Sequence, residues 1–253
     1  MGIKTWISET TPEPMATVLR DAYYAVSNEP DPQRLRRERK DDNEDYEEVV
    51  AELTSSDLYK ELTATIEELT DSGEIGRESA HDLYYLVRTR KPECVVETGV
   101  CNGMSSSVIL AALERNGHGE LHSIDLPFYA DVPYKQRQKE TYDGIGRAEI
   151  PSDKEPGWLI PDRYTDRWEF YEGKSQHLLP TVMDEQHADM FIHDSEHSHP
   201  CMMFEMETAW HRMDDGLIFS DDINWNSAFE VFTEVRADKY RQISRSTGYI
   251  KVI

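Results

Sequence analysis

The sequence predicts an α/β fold: a doubly wound, mostly parallel sheet of seven strands, closed by an antiparallel C-terminal hairpin and preceded by a helical extension. Three observations predict it. An apolar, β-branched run ends in an acidic residue and a glycine-punctuated turn, Val95-Val96-Glu97-Thr98-Gly99-Val100-Cys101-Asn102-Gly103, which opens an amphipathic helix at Ser105. Short apolar runs then alternate with helical periodicity, the pattern of parallel strands with helices on both faces. Finally, Tyr240–Arg245 and Tyr249–Ile253 flank Ser246-Thr247-Gly248 as a terminal hairpin.

Residues 1–90 read as the helical extension and 91–253 as the α/β domain. Met15 to Ser27 carries apolar residues at helical spacing and is followed by the break Asn28-Glu29-Pro30-Asp31-Pro32. The basic block Arg34 to Lys40 runs into acidic residues from Asp41 and reads as a solvated segment of offsetting charge. A second helix is expected over Tyr46–Thr70 and a third over Arg77–Thr89. Strands are expected at Cys94–Thr98, Glu120–Asp125, Arg167–Tyr171, Ala188–Asp194 and Leu217–Asp221. Helices are expected at Ser105–Asn116, Ser175–Glu185, Cys201–Met213 and Ser227–Asp238. Between the second and third strands, Leu126 to Asp166 is long for a compact domain and reads as a lid or pocket wall.

Composition narrows the partners. A formal charge of −23 over 253 residues disfavours nucleic acid and anionic membrane, whose phosphates need cationic contacts. Such acidity is expected of a protein adapted to high salt, where self-repulsion is screened. No apolar run reaches the roughly 18 residues of a membrane span. Met1 to Pro14 lacks the pattern of an export signal, so a cytoplasmic location is expected. The three cysteines, Cys94, Cys101 and Cys201, have no CxxC spacing, which argues against a disulfide framework or a thiolate zinc site.

The strand-turn-helix at Glu97–Ser105 brings backbone N–H groups to an anionic or carboxylate-bearing ligand. Asp125 ends the next strand, beside that turn, where a carboxylate can accept both hydroxyls of a ribose. A nucleoside-containing cofactor follows from the pair. Further along, His193-Asp194-Ser195-Glu196-His197 and Ser220-Asp221-Asp222 end the fourth and fifth strands on the same rim. Three converging carboxylates repel one another without a cation and are hard oxygen ligands suited to Mg²⁺ or a similar divalent ion. Zinc is disfavoured by the absence of HExxH.

From Lys91 to about Asn226 the chain resembles the class I S-adenosylmethionine-dependent methyltransferases, with their Rossmann-like sheet. More narrowly it resembles the metal-dependent O-methyltransferases, of the catechol type and of macrolide and aminocoumarin sugars. The family's first motif is matched by Glu97, Gly99, Gly103 and Ser105, with Cys101 at a position that is glycine in the wider superfamily. The resemblance implies that Asp125 binds the cofactor ribose and that Ser175 and Gln176 flank its adenine. It places metal ligands on Asp194, Asp221 and Asp222, with Asp194 also on the cofactor side. It implies a general base at His197, as in the catechol type, or at Glu196, as in the sugar-modifying group. The implied acceptor is a hydroxyl on a sugar or glycan precursor, or on a small phenol. N-terminal helices in this family commonly cover the active site and mediate self-association, so the resemblance allows a homo-oligomer. Two other readings share some of these features: an NAD-dependent oxidoreductase, and a non-catalytic cofactor-binding subunit. The oxidoreductase would not need Asp221-Asp222 beside Asp194.

Overall fold

The computed structural model describes residues 45–69, 73, 75–137, 139–141, 148–236, 240–244 and 246–252. The helix expected at Met15–Ser27 and the basic block Arg34 to Lys40 lie outside the described residues. No helix among the described residues is long and apolar enough to cross a membrane.

Seven strands form one sheet in the order β3-β2-β1-β4-β5-β7-β6. They are β1 (Cys94–Thr98), β2 (Glu120–Asp125), β3 (Trp168–Glu172), β4 (Met190–His193), β5 (Gly216–Ser220), β6 (Tyr240–Gln242) and β7 (Gly248–Val252). The first five are parallel, and β7 runs antiparallel to both β5 and β6. β1 at the centre is buried at every residue, as a strand covered on both faces must be. The chain winds outward from β1 to one edge and then returns to β4. The switch in strand order therefore falls between β1 and β4, and the carboxyl ends of both strands open there.

The extension supplies α1 (Tyr46–Thr54), α2 (Asp57–Glu67) and α3 (Arg77–Arg90). The single helix expected over Tyr46–Thr70 is thus two. Ser56 leaves helical geometry at ψ 148° and accepts the Tyr59 N–H through its hydroxyl, at 3.1 Å. A serine followed by Asp57 starts a new helix more readily than it continues one. α3 packs on α4 (Met104–Asn116), and residues of α1, α2, α3 and α4 share one apolar core with Val95, Ile192, Leu217 and Phe219 of the sheet. The opposite face is covered by α6 (Ser175–Gln186), α7 (His199–Arg212) and α8 (Ala228–Arg236), around Val96, Phe191 and Ile218. The insertion after β2 contains a short helix, α5 (Tyr134–Arg137), and a 3₁₀ turn at Asp162–Arg167.

Strands β3, β4 and β5 differ from expectation at both ends, and the hairpin strands lie at Tyr240–Gln242 and Gly248–Val252. β3 starts at Trp168 because Arg167 still closes the 3₁₀ turn, and β4 and β5 end at His193 and Ser220. Asp194 and Asp221 consequently sit one residue past their strands, on the rim.

Candidate active site

The rim encloses a cavity of about 330 Å³ that runs from the glycine turn, past Asp125, Ser175 and Gln176, to Asp194, Glu196, His197, Asp221 and Asp222. Every site residue expected from the sequence lines it except Glu97 and Gly103.

Glu97 lies beneath the turn, fully buried, and accepts hydrogen bonds from the hydroxyls of Ser105 (2.5 Å), Ser106 (2.6 Å) and Ser123 (2.9 Å). Burial pushes its carboxyl up to about 7 against the pull of those three donors. It ties β1, β2 and the start of α4 together. Gly99, at φ 91°, has no room for a side chain: a Cβ would stand 2.0 Å from the carbonyl oxygen of Asp194. Cys101 adopts φ 47°, a left-handed conformation that glycine enters without penalty. Its N–H donates to Asp125 at 2.8 Å. Gly103 caps α4 without a side-chain acceptor, which leaves first-turn N–H groups beside Met104 and Ser105, both in the cavity wall.

Burial raises the Asp125 carboxyl although backbone N–H groups of Cys101, Val100 and Leu126 oppose the shift. Gln176 donates to the Cys201 sulfur at 3.1 Å, and Ser175 starts α6 as a donor to Glu205.

Past β4 and β5 the site is acidic. Burial, then the charges of Asp221, Glu97, Asp222 and Asp125, push Asp194 well above the ordinary carboxylate range. Burial and Asp222 raise Asp221, and burial raises Asp222. Ser79 of α3 donates to Asp221 at 3.2 Å. The imidazole Nε2 of His197 stands 3.9 Å from Asp194 and 3.6 Å from Asp222. Burial first, and then the neighbouring His193, hold His197 down to about 3, with Glu205 opposing. Its ring lies 6.1 Å from that of Trp225, a cavity-lining residue that is half exposed.

Sequence reasoning missed the support under this corner. Glu205 of α7, wholly buried, accepts from His193 Nδ1 (2.6 Å), Thr98 (2.6 Å) and Ser195 (2.8 Å). Burial raises its carboxyl, but His193 and the hydroxyl donors outweigh that and leave it below the ordinary value. The signal was its place in the buried stripe of α7 with Cys201, Thr208 and Ala209.

A divalent cation has a donor set of the right chemistry in Asp194, Asp221 and Asp222: hard oxygens that share one field, without a Lys or Arg salt-bridge partner among the described residues. No group of three or more His, Cys, Asp or Glu side chains among the described residues is already gathered into a cluster able to hold a metal ion. Arg163, weighed for anion binding, lies over the Tyr164 ring and not in the cavity wall; Arg147 lies outside the described residues. Lys174 lines the cavity and is paired with Glu140 at 2.8 Å.

The strand order, with its antiparallel β5-β7-β6 end and a glycine turn after the central strand, defines a class I methyltransferase fold. Residues 96–223, half of the chain, match the family model described as "Methyltransferase domain", and the chain belongs to that family. The fold is shared with the SAH-bound methyltransferase PaMTH1 of Podospora anserina (16% identity, TM-score 0.55, covering 78% of this chain and 87% of that one). It is shared with cofactor-bound Rv0187 from MTB (14%, TM-score 0.52, 88% and 98%) and with the SAH-bound O-methyltransferase from Bacillus cereus (12%, TM-score 0.50, 93% and 97%). A search of curated protein sequences finds no match.

Proposed function

We propose that the protein is an S-adenosylmethionine-dependent, divalent-metal-assisted O-methyltransferase acting on a hydroxyl of a small uncharged ring, a sugar unit or a phenol. The observation that carries this is the single cavity in which the glycine turn and Asp125 face the acidic corner of Asp194, Asp221 and Asp222. When bound, the cofactor supplies an electrophilic sulfonium methyl and leaves as S-adenosylhomocysteine. A cation held by Asp194, Asp221 and Asp222 would polarise the acceptor hydroxyl and lower its pKa.

The chain's own residues do the rest. In this reading Asp125 binds the ribose, the first-turn amides of α4 bind the cofactor carboxylate, and Ser175 and Gln176 flank the adenine. All of these residues line the same cavity, which supports the assignment. His197 presents Nε2 3.9 Å from Asp194 and 3.6 Å from Asp222 and is the first candidate base. Burial holds its basicity low, so it would take the proton only from a hydroxyl that the cation has acidified. Glu196 lines the same cavity and is the second candidate base. Ile66, Ile75, Phe128 and Trp225 give the acceptor an apolar wall, which supports an uncharged ring.

A methyl-transfer screen against glycosides and catechols, with and without EDTA, tests the proposal. Transfer that EDTA abolishes and Mg²⁺ restores is the expected result; NAD binding with no affinity for S-adenosylmethionine would overturn it. We assign the −23 charge to a saline environment. A melting temperature that does not rise in molar KCl would reject that assignment.

A further inference from the structure

The long insertion is fastened to the glycine turn by a clasp centred on Asn102, and we infer that Asn102 is a positioning residue for the cofactor turn. The inference rests on reading Gly99–Gly103 as that turn. Asn102 is 2% exposed and reaches the insertion through three groups. Its side-chain oxygen accepts the indole N–H of Trp158 at 2.7 Å, its amide donates to the Glu149 carbonyl at 3.2 Å, and its own carbonyl accepts the Leu159 N–H at 3.0 Å. Beside it, the Cys101 carbonyl accepts the Gly157 N–H at 2.9 Å. The two backbones touch: a Cβ on Gly103 would lie 2.9 Å from the Gly157 Cα.

This fastening bears on Cys101. Its left-handed φ of 47° is disfavoured for a residue with a side chain. In that conformation its N–H meets Asp125 on one side while its carbonyl meets Gly157 on the other. Opening the clasp removes the second anchor and lets Cys101 relax toward φ below zero, turning its N–H away from Asp125. Asn102 therefore acts through the turn, and the turn's geometry depends on a segment about fifty residues downstream. Trp158, whose ring carries the Lys154 ammonium at 4.9 Å, serves here as a tether.

The test is calorimetric titration of S-adenosylhomocysteine into the full chain, at a temperature well below the melting point of each variant. Trp158→Phe keeps the ring and removes one hydrogen bond, and should weaken Kd about fivefold. Asn102→Ala removes the side-chain bonds to Trp158, to the Glu149 carbonyl and to the Cys101 sulfur, and should weaken it more than tenfold. Lys154→Ala strips the cation from the same indole without touching the clasp and should leave Kd unchanged, as a merely structural effect on the insertion would not. Folded Trp158→Phe and Asn102→Ala proteins that bind within twofold of the wild type would overturn the inference alone. Wild-type protein that does not bind S-adenosylhomocysteine would overturn the cofactor reading beneath it.

Discussion

At the glycine corner of the rim, buried polar groups have partners: Glu97 accepts three hydroxyl bonds, Asp125 takes the Cys101 amide, and Asn102 is bonded through both ends of its side chain. At the acidic corner, a few residues away, burial raises all three carboxylates; Asp221 and Asp222 add to the shift of Asp194, and Asp222 adds to that of Asp221. The buried ring atoms His193 Nε2 and His197 Nδ1 have no hydrogen-bond partner among the described residues. Both corners are made by the same device, a strand ending at the switch in sheet order. The difference is in what each leaves undone. A satisfied corner is formed before its ligand arrives, whereas an unsatisfied one holds unfavourable electrostatics that a cation or a proton relieves.

The largest expected effect separates the two corners by function. His197→Ala should lower kcat by about 10³-fold, the scale of a lost general base, and leave affinity for S-adenosylhomocysteine unchanged. Glu196→Ala retaining less activity than His197→Ala would move the base to Glu196. Next, Asp221→Asn should cut transfer by about 10²-fold while raising the melting temperature, because one of the repelling charges is gone. A fall in both would contradict the picture of a strained acidic corner. Third, Glu205→Gln removes the charged partner of buried His193 and should cost about 2 kcal/mol, a drop of roughly 4–8 °C in Tm.

The smallest effect probes the satisfied corner by pH. Glu97 is held near 7 in the fold against an ordinary 4.5, so the fold favours its protonated form. The stability it contributes is whole below pH 4.5 and is lost as pH rises through about 7. Glu97→Gln should flatten the pH dependence of Tm across that window relative to wild type. Parallel curves for the two proteins would show that the carboxyl is already ionised in the fold.

Much of this layout could be read from residues alone. Val95-Val96 followed by Gly99 and Gly103 marks a buried strand and a tight turn, and β1 falls on the expected residues. The terminal hairpin was legible because alternation replaced helical spacing, and β7 is alternately buried. Other features depend on distant contacts. Ser55-Ser56 looks tolerable inside an amphipathic helix, and only the cap at Ser56 shows that α1 and α2 part there. Glu97 reads as a cofactor contact from its motif, yet its partners Ser105, Ser106 and Ser123 come from two other elements and draw it under the turn. The Glu205–His193 pair joins a helix to a strand twelve residues earlier, and a glutamate among methionines gives little sign of a buried partner. The clasp between Asn102 and Trp158 spans 56 residues and has no local signature.

One measurement tests the contrast between the corners most directly: titration of S-adenosylhomocysteine into the protein in EDTA and again in excess Mg²⁺. A preformed glycine corner predicts saturable binding with the same Kd in both, while methyl transfer proceeds only with the cation. Absence of binding in EDTA, or a Kd that tightens tenfold with Mg²⁺, would contradict it.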